Sequence, residues 1–125
     1  MQCLLVDDDL DDQEVFLLTL EKINKNIKCF TANDGVEALS ILKKDGAVMP
    51  DYIFLDVNMP KMNGIECLRN IKNLEHLNNC KIFMYSTTSD QSILEKSKKL
   101  GATDFIVKPA SPAVLKQTLS VILNN

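Results

Sequence analysis

Polar side chains that suit phosphoryl chemistry follow four short apolar runs of this sequence. The runs and the residues after them are 3–6 with Asp7, Asp8 and Asp9, 52–55 with Asp56, 82–85 with Ser86, and 105–107 with Lys108. Removing a carboxylate from water without a partner is very costly, so each acid must be exposed at a strand end, paired, or bound to a cation. Carboxylates, a hydroxyl and an ammonium together indicate a site for a magnesium ion and a phosphoryl group.

Crowded carboxylates at one cleft would repel each other, and a divalent cation removes that repulsion. Ligand sets made only of oxygen favour magnesium, manganese or calcium over zinc, and Asp7, Asp8 and Asp56 form such a set. Asp56 is then a candidate nucleophile, because carboxylates form aspartyl-phosphate intermediates. Lys108 could neutralise phosphoryl charge, and the Ser86 hydroxyl could donate to a phosphoryl oxygen.

The elements that must position these side chains are five strands that alternate with five helices. The predicted strands are Gln2–Val6, Lys28–Thr31, Tyr52–Asp56, Lys81–Tyr85 and Asp104–Val107. The predicted helices are Asp11–Ile23, Gly35–Lys43, one that begins after Asn63, Asp90–Leu100 and Pro112–Leu123. Strands that are apolar throughout are typical of a parallel sheet that helices cover on both faces.

Helix boundaries are predicted from capping residues. The predicted N-caps are Asp34, Asn63, Ser89 and Ser111, and the glycines at or beyond a helix end are Gly46 and Gly101. Helical spacing places Val15 and Val114 on core-facing stripes. The first-turn acids Asp9, Asp11 and Asp12 are interpreted as solvated partners of the helix dipole, and the loop residue His76 is given no role.

Right-handed crossovers place the carboxyl ends of all parallel strands at one edge of the sheet. Ligands of open α/β sheets bind at that edge, where the strand order reverses. We therefore expect Asp7, Asp8, Asp56, Ser86 and Lys108 to lie near one another, although they are far apart in the sequence.

Length and composition predict one ordinary globular domain. The chain has 125 residues, of which 46% are hydrophobic and 25% charged. Its net charge of -3 argues against a general nucleic-acid-binding surface. Lys96, Lys98 and Lys99 are interpreted as a solvated helix face. No signal peptide and no bilayer-spanning run is recognised, so no membrane partner is expected.

The four cysteines predict a reduced, cytoplasmic protein. They form no C-x-x-C pair, and a disulfide scaffold is not expected. Cys3, Cys29 and Cys80 fall in predicted strands and are interpreted as small buried hydrophobic residues.

Five stretches of the chain, taken in this order, resemble the receiver domain of two-component response regulators. They are Leu4–Asp9, Ile53–Pro60, Asn63–Gly64, Tyr85–Thr87 and Gly101–Pro109. Each stretch alone is weak evidence, but together they are specific and span essentially the whole chain. The resemblance implies a flavodoxin-like, doubly wound (βα)5 parallel sheet with strand order 2-1-3-4-5, and a receiver domain over residues 1–125.

The resemblance also implies roles for the site residues. Asp56 would be the phosphoacceptor, assisted by Lys108 and Ser86. Asp8 would bind Mg²⁺ directly, or Mn²⁺ in its place, and Asp7 would act largely through water. Asp56 and the backbone carbonyl of Asn58 would complete the protein ligands of the metal.

Ser86 and Phe105 would form the conformational switch of a receiver. Phe105 is explained about equally well as an ordinary core residue of its strand. Signalling would pass through the face made by the fourth helix, the fifth strand and the fifth helix. The implied partners are a histidine kinase or a histidine phosphotransfer protein and an unknown downstream protein, and the chain would be a monomer or weak dimer that acts as a stand-alone signalling module, not as an enzyme.

Three other functions compete with this interpretation. A phosphatase of the haloacid dehalogenase type would carry a second Asp two residues after its nucleophile, where this chain has Asn58. A nucleotide-binding domain would need a glycine-rich phosphate loop, and the chain has only four glycines and neither loop motif. A degenerate receiver is disfavoured because every side chain that phosphorylation requires is present.

Overall fold

Five strands alternate with five α-helices along the part of the chain that the computed structural model describes, which is residues 1–43 and 48–123. The strands are β1 (Gln2–Val6), β2 (Lys28–Ala32), β3 (Tyr52–Leu55), β4 (Lys81–Ser86) and β5 (Asp104–Val107). The helices are α1 (Leu10–Ile23), α2 (Gly35–Lys43), α3 (Gly64–Lys72), α4 (Gln91–Lys99) and α5 (Pro112–Leu123). A short 3₁₀ helix, Glu75–Leu77, precedes β4. Gly46, predicted beyond the end of α2, lies outside the described residues.

The sheet confirms the predicted topology. All strand pairs are parallel, and the strand order is β2-β1-β3-β4-β5. In register, Val6 lies beside Leu55, and Met84 lies beside Phe105. The order reverses between β1 and β3, so the cleft at which such sheets bind ligands lies at the carboxyl ends of these two strands.

Two apolar cores lie on opposite faces of the sheet. Phe16 of α1 and Leu119 of α5 are fully buried in one core. Leu42 of α2 and Leu68 of α3 are buried in the other, and Ile93 of α4 packs against it. The sheet is therefore covered on both faces, as its apolar strands predict.

Two predicted core positions are wrong. Val15 is 39% exposed and Val114 is 50% exposed. On α1 the buried stripe instead contains the polar residues Gln13 and Thr19. Thr19 satisfies its hydroxyl by donating to the carbonyl of Val15 at 2.7 Å, so the helix can turn this residue inward at little cost.

The helix caps agree with the sequence except at α4. The N-cap of α4 is Asp90, whose Oδ1 accepts from Ser92 N at 2.9 Å, where Ser89 was predicted. Asn63 caps α3 as predicted by accepting from Glu66 N at 2.9 Å. Gly101 has φ of +98°, a left-handed conformation that glycine adopts without strain and that ends α4.

The cysteines are unpaired within the described residues. Cys3, Cys67 and Cys80 are buried, and Cys29 is half-buried. Burial raises the pKa of the Cys67 thiol to about 12, so it is neutral at physiological pH. Across the described ranges, no helix is both long enough and apolar enough to cross a membrane.

Candidate functional site

The carboxyl ends of β1 and β3 place Asp7 and Asp56 side by side. Each residue continues the backbone pairing one position beyond its strand. Asp7 N donates to Ala32 O at 3.0 Å, and Asp56 N donates to Val6 O at 2.9 Å. Both acids are buried, with exposed fractions of 0% and 5%. Because sheet hydrogen bonds fix their backbones, the two carboxylates are held at this edge in a defined geometry.

Asp8 completes a cluster of three acids. One carboxylate oxygen each from Asp7, Asp8 and Asp56 lies within 4.8 Å of the others. Asp8 is exposed, so the cluster opens to solvent on one side. Such an arrangement of oxygen ligands has the composition that suits a hard divalent cation.

Asp7 Oδ2 is a buried carboxylate oxygen whose hydrogen-bonding capacity is not filled. It lies 2.7 Å from Lys108 Nζ, an ion-pair distance. Apart from this ion pair, the buried oxygen accepts no hydrogen bond within the described residues. Burial raises the pKa of Asp7 to about 6, although Lys108 and a hydrogen bond from Asp9 N oppose that rise. An additional cation at the cluster would stabilise the ionised form of Asp7.

Lys108 is the shared cation of the site. Its backbone N–H donates to Ser86 O at 2.8 Å, and its side chain is only 9% exposed. Nζ lies 3.3 Å from Asp56 Oδ2 and also 2.9 Å from Asp12 Oδ2. Burial lowers the pKa of Lys108, but the hydrogen bond to Asp12 and the nearby carboxylates of Asp7 and Asp56 outweigh that effect and hold the pKa above its ordinary value. Lys108 is therefore an ammonium at neutral pH.

Asp12 is a site residue that the sequence did not predict. The sequence predicts a solvated first-turn acid here, yet Asp12 contacts Lys108 and its side chain is 40% exposed. An ordinary first-turn position gives no sign of this contact in the sequence, because the contact depends on how α1 packs against α5.

Gln13 is a second residue that was not predicted. Its Nε2 donates to the backbone carbonyl of Asp7 at 2.6 Å and to Asn33 Oδ1 at 2.9 Å. Asp9, predicted as a solvated first-turn acid, is the N-cap of α1 and donates its backbone N–H to Asp7 Oδ1 at 3.0 Å. The start of α1 is thus attached to Asp7 from two directions, which fixes that carboxylate.

Asn58, Ser86 and Phe105 lie around the same edge of the sheet. Asn58 is exposed, and its N–H donates to Asp56 Oδ1 at 3.4 Å. Ser86 is buried, and its Oγ accepts from Thr88 N at 3.5 Å. Phe105 is half-buried and packs against the core beneath α2 and α3. The structure therefore brings Ser86 to the edge without joining its hydroxyl to Asp56.

Gly64 permits a close approach of α3 to the backbone of Asp56. A Cβ on Gly64 would lie 2.1 Å from Asp56 O and 2.7 Å from Val57 Cα. Gly64 N also donates to Val57 O at 2.8 Å. Only glycine fits there, so the start of α3 fixes the position of the backbone that carries Asp56.

The loop residue His76, given no role from sequence, makes a structural contact. Its Nε2 lies 2.9 Å from Leu42 O, which ties the 3₁₀ helix to the end of α2. His76 is distant in sequence from the acid cluster, and its contact involves none of the site residues.

A parallel five-stranded sheet with an acid cluster and a lysine at its carboxyl edge defines the class of this protein. The family model for the response regulator receiver domain matches residues 3–120, and the chain belongs to that family. Receiver domains are signalling modules of two-component systems. The membership, the flavodoxin-like fold and the 2-1-3-4-5 strand order expected from the sequence are thus confirmed.

Proteins similar to this chain include a chemotaxis protein and two response regulators of known structure. A chemotaxis protein CheY homolog of Campylobacter jejuni is 31% identical over 123 residues, which are 98% of this chain and 92% of that protein. The phosphorylated cyanobacterial phytochrome response regulator RcpA has a TM-score of 0.88 and 29% identity, covering 97% of this chain and 89% of its own. The Mn²⁺-bound response regulator Rcp1 has a TM-score of 0.85 and 24% identity, covering 97% and 90%, and shares the fold.

Proposed function

We propose that this receiver accepts a phosphoryl group on Asp56 from a histidine kinase or a histidine phosphotransfer protein. The observation that carries the proposal is the position of Asp56. Its carboxylate lies 3.3 Å from the Lys108 ammonium and belongs to the three-acid cluster at the ligand-binding edge of the sheet. The phosphorylated state of the related regulator RcpA supports it.

We infer that the cluster holds Mg²⁺, with Mn²⁺ as a substitute. Asp7, Asp8 and Asp56 would be the side-chain ligands, and the backbone carbonyl of Asn58 would be the fourth protein ligand. The described residues fit this metal, because the set contains only oxygen atoms and the buried Asp7 Oδ2 lacks a hydrogen bond. When bound, the cation would neutralise phosphoryl charge and relieve carboxylate repulsion. The manganese-bound form of Rcp1 supports the assignment.

Phosphoryl transfer would use the residues in distinct roles. A carboxylate oxygen of Asp56 attacks phosphorus and forms the new P–O bond, while the P–N bond to the donor imidazole breaks and its electron pair stays on nitrogen. Lys108 follows the three phosphoryl oxygens as a mobile point charge. The Ser86 hydroxyl would leave Thr88 and donate to one of these oxygens. The module thereby assists its own phosphorylation and dephosphorylation without turning over a separate substrate.

The conformational response would follow from the negative charge that phosphorylation adds at Asp56. An aspartyl phosphate carries roughly two negative charges at neutral pH. Ser86 moving toward it would vacate space beside β4, and Phe105 would rotate inward to fill that space. The resulting change in α4, β5 and α5 would alter affinity for a downstream protein as a population shift between two states. Residues 1–125 would constitute the receiver, as a cytoplasmic monomer or weak dimer.

Acetyl phosphate with Mg²⁺ tests the assignment of Asp56. Intact-protein mass spectrometry should show one added phosphoryl group, and Asp56→Asn should abolish it. Asp51→Asn is the matched control, because Asp51 precedes the same strand at the opposite edge of the sheet and its carboxylate accepts from Gln2 N at 2.9 Å. Labelling of Asp56→Asn to the level of the parent protein would refute the proposal.

A further inference from the structure

A groove lies between α3 and α4, beside the loop that follows Asp56. Its volume is about 570 Å³, within the range of sites that bind organic ligands or peptide side chains. Ile65 and Arg69 line it from α3, and Ile93, Lys96 and Lys99 line it from α4. The three- and four-residue spacings show that each helix presents one continuous stripe to the groove.

The groove combines an apolar floor with a basic rim. Ile65, Ile93 and Leu100 are half-buried on the floor. Arg69 and Lys96 are exposed on opposite walls. An apolar strip with cations on both sides differs from the surface of a chain whose net charge is -3.

The groove cations are free to meet an anion. Among residues 1–43 and 48–123, the ion pairs within 4.0 Å involve only Lys61 and Lys108. The acid of the rim, Glu66, contacts Asn63 Nδ2 at 3.4 Å instead of a groove cation. Basic residues in the last turn of a helix are also stabilised by the helix dipole. The dipole alone does not explain why cations of two helices lie on both sides of one apolar strip.

We propose that this groove binds an acidic, amphipathic peptide segment of a partner protein. The two helices have nine residues each and run in the same direction, so the groove is about 13 Å long and fits between two and three turns of a bound helix. Aliphatic side chains of the segment would pack on Ile65 and Ile93, and its carboxylates would meet Arg69, Lys96 and Lys99. This is the helix-in-groove form of peptide recognition with charge complementarity at the rim.

The groove shares α4 with the signalling face described above, but it extends beyond that face. It includes the α3 wall with Ile65 and Arg69, which the face of α4, β5 and α5 does not. Val57 and Asn58, which follow Asp56, also line the groove. Peptide binding is therefore tested on the unphosphorylated protein, so that the two proposals can fail separately.

A random peptide library displayed on phage, selected on the unphosphorylated protein, tests the groove. We expect enriched sequences to combine aspartate or glutamate with aliphatic residues at helical spacing. Binding of a selected synthetic peptide is then measured by calorimetry. The double variant Lys96→Glu/Lys99→Glu should weaken it by about ten-fold, since each reversed rim charge loses an attraction and adds a repulsion.

The matched control is Lys22→Glu/Lys116→Glu, which makes the same charge change on exposed positions of α1 and α5. It should leave peptide affinity within about two-fold, since α1 and α5 cover the opposite face of the sheet and salt screens exposed charges that make no contact. Amide shifts should map to Ile65, Arg69 and Ile93. Enrichment of basic or uncharged peptides, equal weakening in both double variants, or shifts confined to β5 and α5 would each overturn the proposal.

Discussion

Lys108 Nζ lies 2.9 Å from Asp12 Oδ2, a contact that joins residues 96 positions apart in the sequence. The same nitrogen meets Asp7 and Asp56, so a single ammonium is divided among three carboxylates. Asp12 is the member of this group that lies outside the three-acid cluster. It competes with Asp56, the proposed phosphoacceptor, for the ammonium that would neutralise a phosphoryl group.

Asp12→Asn should speed phosphorylation of Asp56 by small anionic donors. The change frees Lys108 for the incoming phosphoryl group and removes a negative charge from the cleft. Partly exposed ion pairs are worth about 0.2–1 kcal/mol, so the rate with acetyl phosphate should rise by about three-fold. Stopped-flow measurement of the phosphorylation rate gives the comparison.

Asp11→Asn is the control for that change. Asp11 is exposed on the same turn of α1, and its carboxylate makes no contact with Lys108. The same charge change there should leave the rate within about 1.5-fold, since exposed charges without contact interact weakly. Equal acceleration in both variants would mean that the general field, not the Lys108 contact, sets the rate.

Mg²⁺ should stabilise the protein, and Asp8→Ala should remove that effect. Binding only to the folded state adds RT ln(1 + [L]/Kd), which is about 1.4 kcal/mol at ten times the dissociation constant, or a few degrees in melting temperature for a domain of this size. Thermal melts with Mg²⁺ and with chelator measure the difference. Asp11→Ala should keep the full Mg²⁺-dependent shift. A parent protein whose melting is indifferent to millimolar Mg²⁺ would contradict the site.

The gathering of Asp7, Asp56 and Lys108 could be predicted because it depends on topology alone. Residues at the carboxyl ends of parallel strands meet at one edge regardless of side-chain detail. The alternation of apolar runs with helical segments is enough to predict that topology. Each of the five strands lies within one residue of its predicted bounds.

Asp12, Gln13 and the cap of α4 were not predicted because they depend on local geometry. A rotation of α1 by part of a turn decides whether Asp12 faces solvent or Lys108, and Val15 shows that the sequence misplaced that rotation. Gln13 resembles a surface residue until its amide is seen to bond to the Asp7 carbonyl. Neighbouring Ser89 and Asp90 are both good caps, and sequence cannot choose between them.

Gly64→Ala should destabilise the domain and displace the Asp56 loop. The added methyl would meet backbone atoms of Asp56 and Val57 at 2.1–2.7 Å, and backbone cannot yield as a side chain can. Overpacking of this kind costs about 1–3 kcal/mol and sometimes more. Urea denaturation at fixed pH measures the loss of stability.

Gly35→Ala is the matched control because it also adds a methyl at the first residue of a helix. Its nearest neighbours would be side-chain atoms of Met62 at 3.1–3.2 Å, which can move. We expect a change within about 0.5 kcal/mol. Greater destabilisation by Gly35→Ala than by Gly64→Ala would contradict the role assigned to the close approach of α3.

We expect the packing of Phe105 to transmit the effect of phosphorylation to α4 and β5. The ring is already half-buried, so full burial would add only part of the roughly 1.5–3 kcal/mol of a buried aromatic. A gain of about 1 kcal/mol shifts a two-state population about five-fold. Since Phe105 has no hydroxyl, Phe105→Tyr should preserve the response, and Phe105→Ala should weaken it. Amide chemical shifts with and without beryllofluoride, a phosphoryl mimic, report the response. Shifts restricted to the surroundings of Asp56, with α4 and β5 unchanged, would show that Phe105 does not transmit the signal.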